Sequence, residues 1–450
     1  MKSKLYASIA AATLMAASAS AQNLIIQPGT PGFNWDSFDA FANAHNLSGQ
    51  SLTISGPWTG DDARLFNNTI AYFAAATGAN VSFSGADSFE QDIVIAIRAN
   101  TAPNIAVFPQ PGLAGDMAAA GGLAPLGADT AAWMVDNYAA GQSWVDLGTF
   151  ANANGEAEMF GFFYKVDVKS LVWYSPEQFD EAGYEIPQTM EDLIALSEQI
   201  VADGGTPWCI GLGSGPATGW PATDWVEDLM LRLHEPSVYD AWVTNEIPFN
   251  DPRVVEAISL YGDFVRTPGW AQGGPEASAT TDFRDSPQGL FQIPPQCYMH
   301  RQASFIPTFF PEDAEFGFDY DFFFFPSFAE KDLGDPVLGG GTQFTITSDS
   351  PAARAFIEFL KTPIAHEVWM AQSGFLTPHS GVNLDVFQSD TLRAMNQILL
   401  NADTFRFDAS DMMPGEIGAG AFWTEMVNFT TQGNAQAAAD AIQARWDAMR

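Results

Sequence analysis

Three Gly/Pro-rich segments of this 450-residue chain set aromatic rings beside carboxylates or amides. Residues 56–62 (GPWTGDD) carry Trp58, Asp61 and Asp62, and residues 108–112 (FPQPG) carry Gln110. Residues 213–225 (GSGPATGWPATDW) carry Trp220, Asp224 and Trp225. A flat ring covers an apolar C–H face, while carboxylates and amides bond neighbouring hydroxyls. Together these residue types suit recognition of a small, neutral, polyhydroxylated molecule. Asp61 stands at a helix start, where an aspartate either caps the helix or reaches a ligand.

Residue patterns for bond-breaking chemistry are missing. There is no G-x-x-x-x-G-K-[ST] loop, no G-x-S-x-G elbow and no H-E-x-x-H. Gly339–Gly341 lack the spacing of a dinucleotide fingerprint, and 152–155 (NANG) begins a calcium-loop pattern that fails after it. In so acidic a chain carboxylate pairs abound, yet no spacing sets two at one glycosidic bond. The five histidines are scattered and no Cys/His pair has ligand spacing, so neither a metal nor a cofactor is expected. Cys209 and Cys297 are the only cysteines, and in an oxidising compartment such an isolated pair is expected to form a disulfide.

The compartment is suggested by the first 21 residues. Lys2 and Lys4, an apolar run through Leu14 and the small-residue exit Ala19-Ser20-Ala21 make a secretory signal pattern, with Gln22 as the mature start. That run is too short to span a bilayer, and no later one suffices, so no membrane insertion is expected. With 18 basic and 54 acidic residues the net charge is −36, which argues against nucleic acid and anionic membranes as partners. It also disfavours phosphate, sulfate and uronate ligands. Apolar residues make up 47% and charged ones 16%, so the chain should fold, and its length calls for two cores.

The elements that must hold these residues alternate. Strands are expected at 51–55, 80–84 and 104–108, with helices near 61–77 and 87–98 between them, a pattern of parallel sheet and covering helices. Phe66, Ile70 and Phe73 share one face of the first helix, and Gly78 stands where it stops. The loops carrying Trp58 and Gln110 then leave the carboxyl ends of strands, where open α/β sheets bind ligands. Residues 160–174 read as one long strand-rich segment. Helices follow at Thr189, with Asp192 completing a capping box, at Asp251-Pro252 and at Ser350-Pro351. The run 320–328 (YDFFFFPSF) reads as a buried strand leaving one lobe.

Residues 171–205 (LVWYSPEQFDEAGYEIPQTMEDLIALSEQIVADGG) resemble a signature of the family 1 extracellular solute-binding proteins, which serve ATP-driven sugar importers. Residues 337–344 (VLGGGTQF), 352–360 (AARAFIEFL), 373–378 (SGFLTP) and 411–423 (DMMPGEIGAGAFW) resemble that family's later run in the same order. Residues 207–225 and 297–305 look like its α-glucoside-binding, maltose-binding-protein-like branch, and both cysteines fall inside them.

The resemblance implies an α/β type II periplasmic binding protein: two lobes, a ligand cleft and three hinge crossings. Lobe 1 would hold 22–163 and 326–385, and lobe 2 would hold 167–322 and 388–450. It implies that Trp58, Asp61 and Gln110 line one rim and Trp220, Asp224, Arg301 and Phe305 the other. Trp423 would be a stacking platform, and Gly340 and Thr342 would let ligand approach the backbone. For Arg301 a buried ion pair and a ligand contact both stay open. The implied function is non-enzymatic: periplasmic capture of an α-glucoside or related disaccharide (sucrose, maltose, trehalose) by a monomer that hands it to the membrane permease of an ABC importer. The alternatives are a binder of a polyol or osmolyte and a periplasmic glycoside hydrolase.

Overall fold

The computed structural model describes residues 24–139, 141–372, 374–401 and 404–449, so the leader pattern at 1–21 lies outside the described residues. Eleven strands occur among them: β1 (Ser51–Gly56), β2 (Asn80–Gly85), β3 (Ile105–Phe108), β4 (Thr149–Ala151), β5 (Ala157–Met159), β6 (Phe162–Val168), β7 (Leu171–Tyr174), β8 (Met299–Arg301), β9 (Asp321–Phe324), β10 (Val337–Ile346) and β11 (Phe405–Phe407). β2, β1 and β3 are parallel neighbours. β10 runs antiparallel to β3 and β6 and parallel to β11, completing the larger sheet. β8, β7 and β9 make a separate antiparallel sheet, and β4 and β5 pair with each other.

The expected strand–helix–strand order is present. Helix Gly60–Thr77 buries Phe66, Ile70 and Phe73, and Gly78 ends it at φ +74°, a conformation glycine adopts without strain. Helix Met190–Ala202 starts at a capping box: Asp192 N donates to Thr189 Oγ1 at 3.1 Å and Thr189 N to Asp192 at 3.2 Å. Helix Pro252–Arg266 starts on Asp251 and buries Val254, Ile258, Tyr261 and Val265. Of the four consecutive phenylalanines, Phe323 and Phe325 are buried and Phe322 and Phe324 half-buried, the alternation of a strand.

The segment 160–174 is not one strand. It breaks at Lys169–Ser170, sending β6 into the larger sheet and β7 into the smaller. Side chains fasten the break: Ser170 Oγ donates to Asp228 at 3.0 Å and accepts from Leu338 N at 2.9 Å.

Three apolar clusters occur among the described residues. The first core gathers Leu52, Ile54, Phe66, Val166, Phe344 and Phe356 and continues through Trp173, Phe283 and Ile306; the second core gathers Val172, Leu193, Trp225, Ile258, Phe422 and Ile442; a smaller third holds Phe89, Ile93, Phe108 and Leu113. Around the expected bounds at 167 and 388 the packing is continuous. β6 keeps Asp167 and Val168 paired with β10, and Met395, Leu399 and Phe407 pack into the first core while β11 extends its sheet. Cys209 and Cys297 are joined by a disulfide, their Cα atoms 5.3 Å apart. No described helix is long and apolar enough to cross a membrane.

Candidate ligand-binding site

A cavity of about 160 Å³ lies where the carboxyl ends of β1, β2 and β3 face Trp220, Phe283, Phe305 and Trp423. Trp58, Trp220, Phe283, Phe305, Phe309 and Trp423 give it apolar walls. Trp58 follows β1 and is wedged against Phe66 and Trp369, with ring centroids 4.9 and 5.2 Å away. Trp220 opens helix Trp220–Leu233 and meets Phe283 edge-on at 5.0 Å. Gly219 before it has φ +118°, and a Cβ there would lie 2.3 Å from the Trp423 carbonyl oxygen. Only glycine lets these two indole-bearing segments come together. Trp423 follows a π-helical turn, Glu416–Phe422, a local irregularity that re-aims side chains.

Four polar atoms of lining residues are buried without a partner: Asp62 Oδ1, Gln110 Oε1, Thr342 Oγ1 and Trp423 Nε1. Leaving such groups unmade is costly, so a ligand that bonds them gains their full worth. Thr342 stands where the β10–β6 register shifts, and this bulge accompanies the exposure of its side chain to the cavity. Burial pushes the Asp62 carboxyl up to about 6, with Lys165 opposing. Burial also raises Glu90, whose carboxylate accepts a bond from Gln110 Nε2 at 3.2 Å.

Every cation that lines the cavity is already paired. Lys165 bonds both Asp167 oxygens at 3.0 and 3.1 Å and lies 5.1 Å from the Phe305 ring. Arg284 bonds Asp87 at 2.7 Å. Lys169 bonds Asp224 at 2.8 Å and also Asp408. Burial opposes charge on Lys169, but Asp224 and Asp408 outweigh it and hold the ammonium above its ordinary value. Burial likewise opposes charge on Asp408, and Lys169 wins there too, keeping that carboxyl low. Asp224 is pushed up to about 7 and Glu227 well up, burial being the larger cause in both. Oxygens of Asp224, Glu227 and Asp408 converge within 4.8 Å, and the Lys169 ammonium bonds two of these carboxylates, filling the role a metal cation would take.

The structure brings Trp58, Gln110, Trp220, Phe305, Thr342 and Trp423 to one cavity. Five other expected residues stand off it. Asp61 is half exposed and pairs with Arg64 at 3.0 Å, because one step along the helix turns Asp62 inward and Asp61 out. Asp224 is buried behind Lys169, which it orients. Arg301 is buried, bonds Asp228 at 2.8 Å and stacks between Trp225 and Phe325. Trp225 belongs to the second core. Gly340 makes room for a protein group: a Cβ there would lie 2.9 Å from Lys169 Cε.

The sequence reading passed over Lys165, Asp167 and Lys169 as lining groups. Their signal is charge alternating along an otherwise apolar, fully buried strand (FFYKVDV) and onto Lys169 just after it. Arg284, Asp87 and Glu90 carry no such mark.

Comparison with known proteins shows the family. The family described as bacterial extracellular solute-binding protein matches residues 59–367. The alpha-glucosides-binding periplasmic protein AglE of Rhizobium meliloti (strain 1021) is 55% identical over 458 residues, covering 100% of both chains. The osmoprotective compounds-binding protein GgtB of Synechocystis sp. (strain ATCC 27184 / PCC 6803 / Kazusa) is 39% identical, covering 88% of this chain and 92% of its own. Among solved structures, the bacterial solute receptor AcbH superposes with a TM-score of 0.74 at 17% identity, over 89% of this chain and 99% of that one.

Proposed function

The chain belongs to the bacterial extracellular solute-binding proteins, and we propose that it captures an α-glucoside or related neutral disaccharide in the cleft between two lobes. It delivers that sugar, in the periplasm, to the membrane permease subunits of an ABC importer. One observation carries the choice of ligand. Four residues that line the cavity beside six aromatic rings each hold an unpartnered polar atom, while each lining cation is already neutralised. A hydroxyl-rich ligand with apolar ring faces meets those demands, and an anionic one finds no free positive group. The AglE relative, whose name specifies α-glucosides, supports the same class.

The lobes are taken as the larger sheet and the β8–β7–β9 sheet, each with the helices that flank it, with the chain crossing at 169–170, between β9 and β10, and after β11. Binding works by favouring the closed arrangement over the open one, and no bond is broken. Trp58, Gln110 and Thr342 act from one lobe and Trp220, Phe305 and Trp423 from the other. Asp62 is added to this set because its unpartnered oxygen can accept a sugar hydroxyl.

A second reading, a polyol or osmolyte, is favoured by the GgtB relative, named for osmoprotective compounds, and uses the same surfaces. A thermal-shift screen over maltose, sucrose, trehalose, polyols and betaines separates the two, since a ligand bound only by the folded form raises Tm. Stabilisation by betaine and by no sugar refutes the proposal.

A further inference from the structure

Arg284 and Asp87 meet across the cleft. Asp87 lies just after β2 of the larger sheet. Arg284 lies in a segment tied to the second lobe, where Phe283 N donates to Gly213 O at 2.9 Å. Arg284 Nη2 reaches Asp87 Oδ1 at 2.7 Å and Thr59 Oγ1 at 3.4 Å, and Nη1 reaches both oxygens of Asp282 at 3.3 and 3.2 Å. Its planar face lies 4.5 Å from the Phe283 ring and 5.8 Å from Phe309.

Thr59 adds an independent sign. It precedes helix Gly60–Thr77 with the extended backbone of a helix cap, yet its hydroxyl makes no cap bond. Instead it donates to Asp87 Oδ1 at 3.3 Å. A cap contributes about 1 kcal/mol, so a local preference has yielded to a bond that holds Asp87 beside Arg284. Such exceptions concentrate at working parts of a fold. Gly215, also from the second lobe, comes so near that a Cβ there would lie 3.4 Å from the Asp87 side chain.

We infer that Arg284, Asp87 and Thr59 form a clasp that favours lobe closure through protein–protein bonds alone, so that Arg284 is a positioning residue and not a ligand contact. Both Nη nitrogens of the guanidinium are engaged by protein oxygens. Closure then has a contribution independent of which sugar fills the cavity. The inference rests on the two-lobe reading above.

The test is small-angle scattering on the ligand-free full chain and on Asp87→Asn, Arg284→Gln and the double variant. The clasp predicts a larger radius of gyration in each single variant, no further rise in the double, and expansion of the unmodified protein in about 1 M salt, where the screening length falls to about 3 Å. It also predicts that sugar dissociation, followed by tryptophan fluorescence with maltose as probe, quickens about fivefold in either single variant. Variants with the unmodified radius, or a double variant that expands beyond both singles, overturn the clasp. The two-lobe reading is tested apart from it: maltose, sucrose or trehalose must still compact the double variant, and failure of all three there and in the unmodified protein counts against the reading itself.

Discussion

Replacing Trp423 by phenylalanine separates ligand binding from folding, because the two should move in opposite directions. The Trp423 ring is 4% exposed, lines the cavity, and has no partner for its Nε1 proton. In the ligand-free protein that donor is an unmet buried group, and removing it relieves a cost of about 1–3 kcal/mol while losing some ring packing. In the complex the same donor meets a sugar oxygen, a bond whose net contribution is about 1 kcal/mol. Trp423→Phe should therefore leave Tm level or slightly higher, while sugar affinity falls about five- to tenfold. Calorimetric titration beside thermal unfolding of the same preparation measures both. Unchanged affinity, or a Tm that falls with it, refutes the placement of that N–H in the site.

Four further outcomes follow from the same structure. Asp62 has a folded value raised to about 6 from 3.8, so the folded state binds the extra proton between those values and stability rises as pH falls through about 6; Asp62→Asn should remove a penalty of about 3 kcal/mol at pH 7 and weaken sugar binding, read by unfolding and titration at pH 5 and 7. His300 runs the other way: burial lowers it to about 4, so its contribution is intact above 6.5 and lost as pH drops toward 4, and chemical unfolding of His300→Gln should lose that part of the acid sensitivity. Arg301→Met leaves Asp228 with less compensation and should cost about 3–5 kcal/mol of stability with little change in sugar affinity of the folded fraction; a selective affinity loss contradicts its structural assignment. Reducing Cys209–Cys297, which spans 88 residues, should lower stability by about 4–5 kcal/mol in urea titrations, and an unchanged midpoint contradicts this.

Much of the scaffold was legible because its signals are local. Gly78, the Thr189/Asp192 box and Asp251-Pro252 each fix a helix end by nearest-neighbour chemistry. Trp58, Gln110 and Trp220 could be placed because they follow strand ends or open a helix after a Gly/Pro loop. Helix phase was harder: a residue-level ambiguity between Asp61 and Asp62 is a turn of about 100°, and only packing of Phe66 and Ile70 decides which carboxylate faces the cavity. A lobe bound near 388 has no local mark, because helix Asp390–Asn401 and β11 join the first core through Met395, Leu399 and Phe407, contacts with residues far away in the chain. Arg284 was invisible for the same reason. Its partners Asp87 and Thr59 are 197 and 225 residues distant, and nothing in its own neighbourhood marks a meeting across a cleft.

The central claim is that a neutral sugar is held and left intact. Isothermal titration of the purified full chain with maltose, sucrose and trehalose, followed by chromatography of the recovered sugar, tests it most directly. The account predicts one-to-one binding of at least one of these disaccharides, with the same molecule returned unaltered. Release of free glucose, or absence of heat with all three, contradicts it.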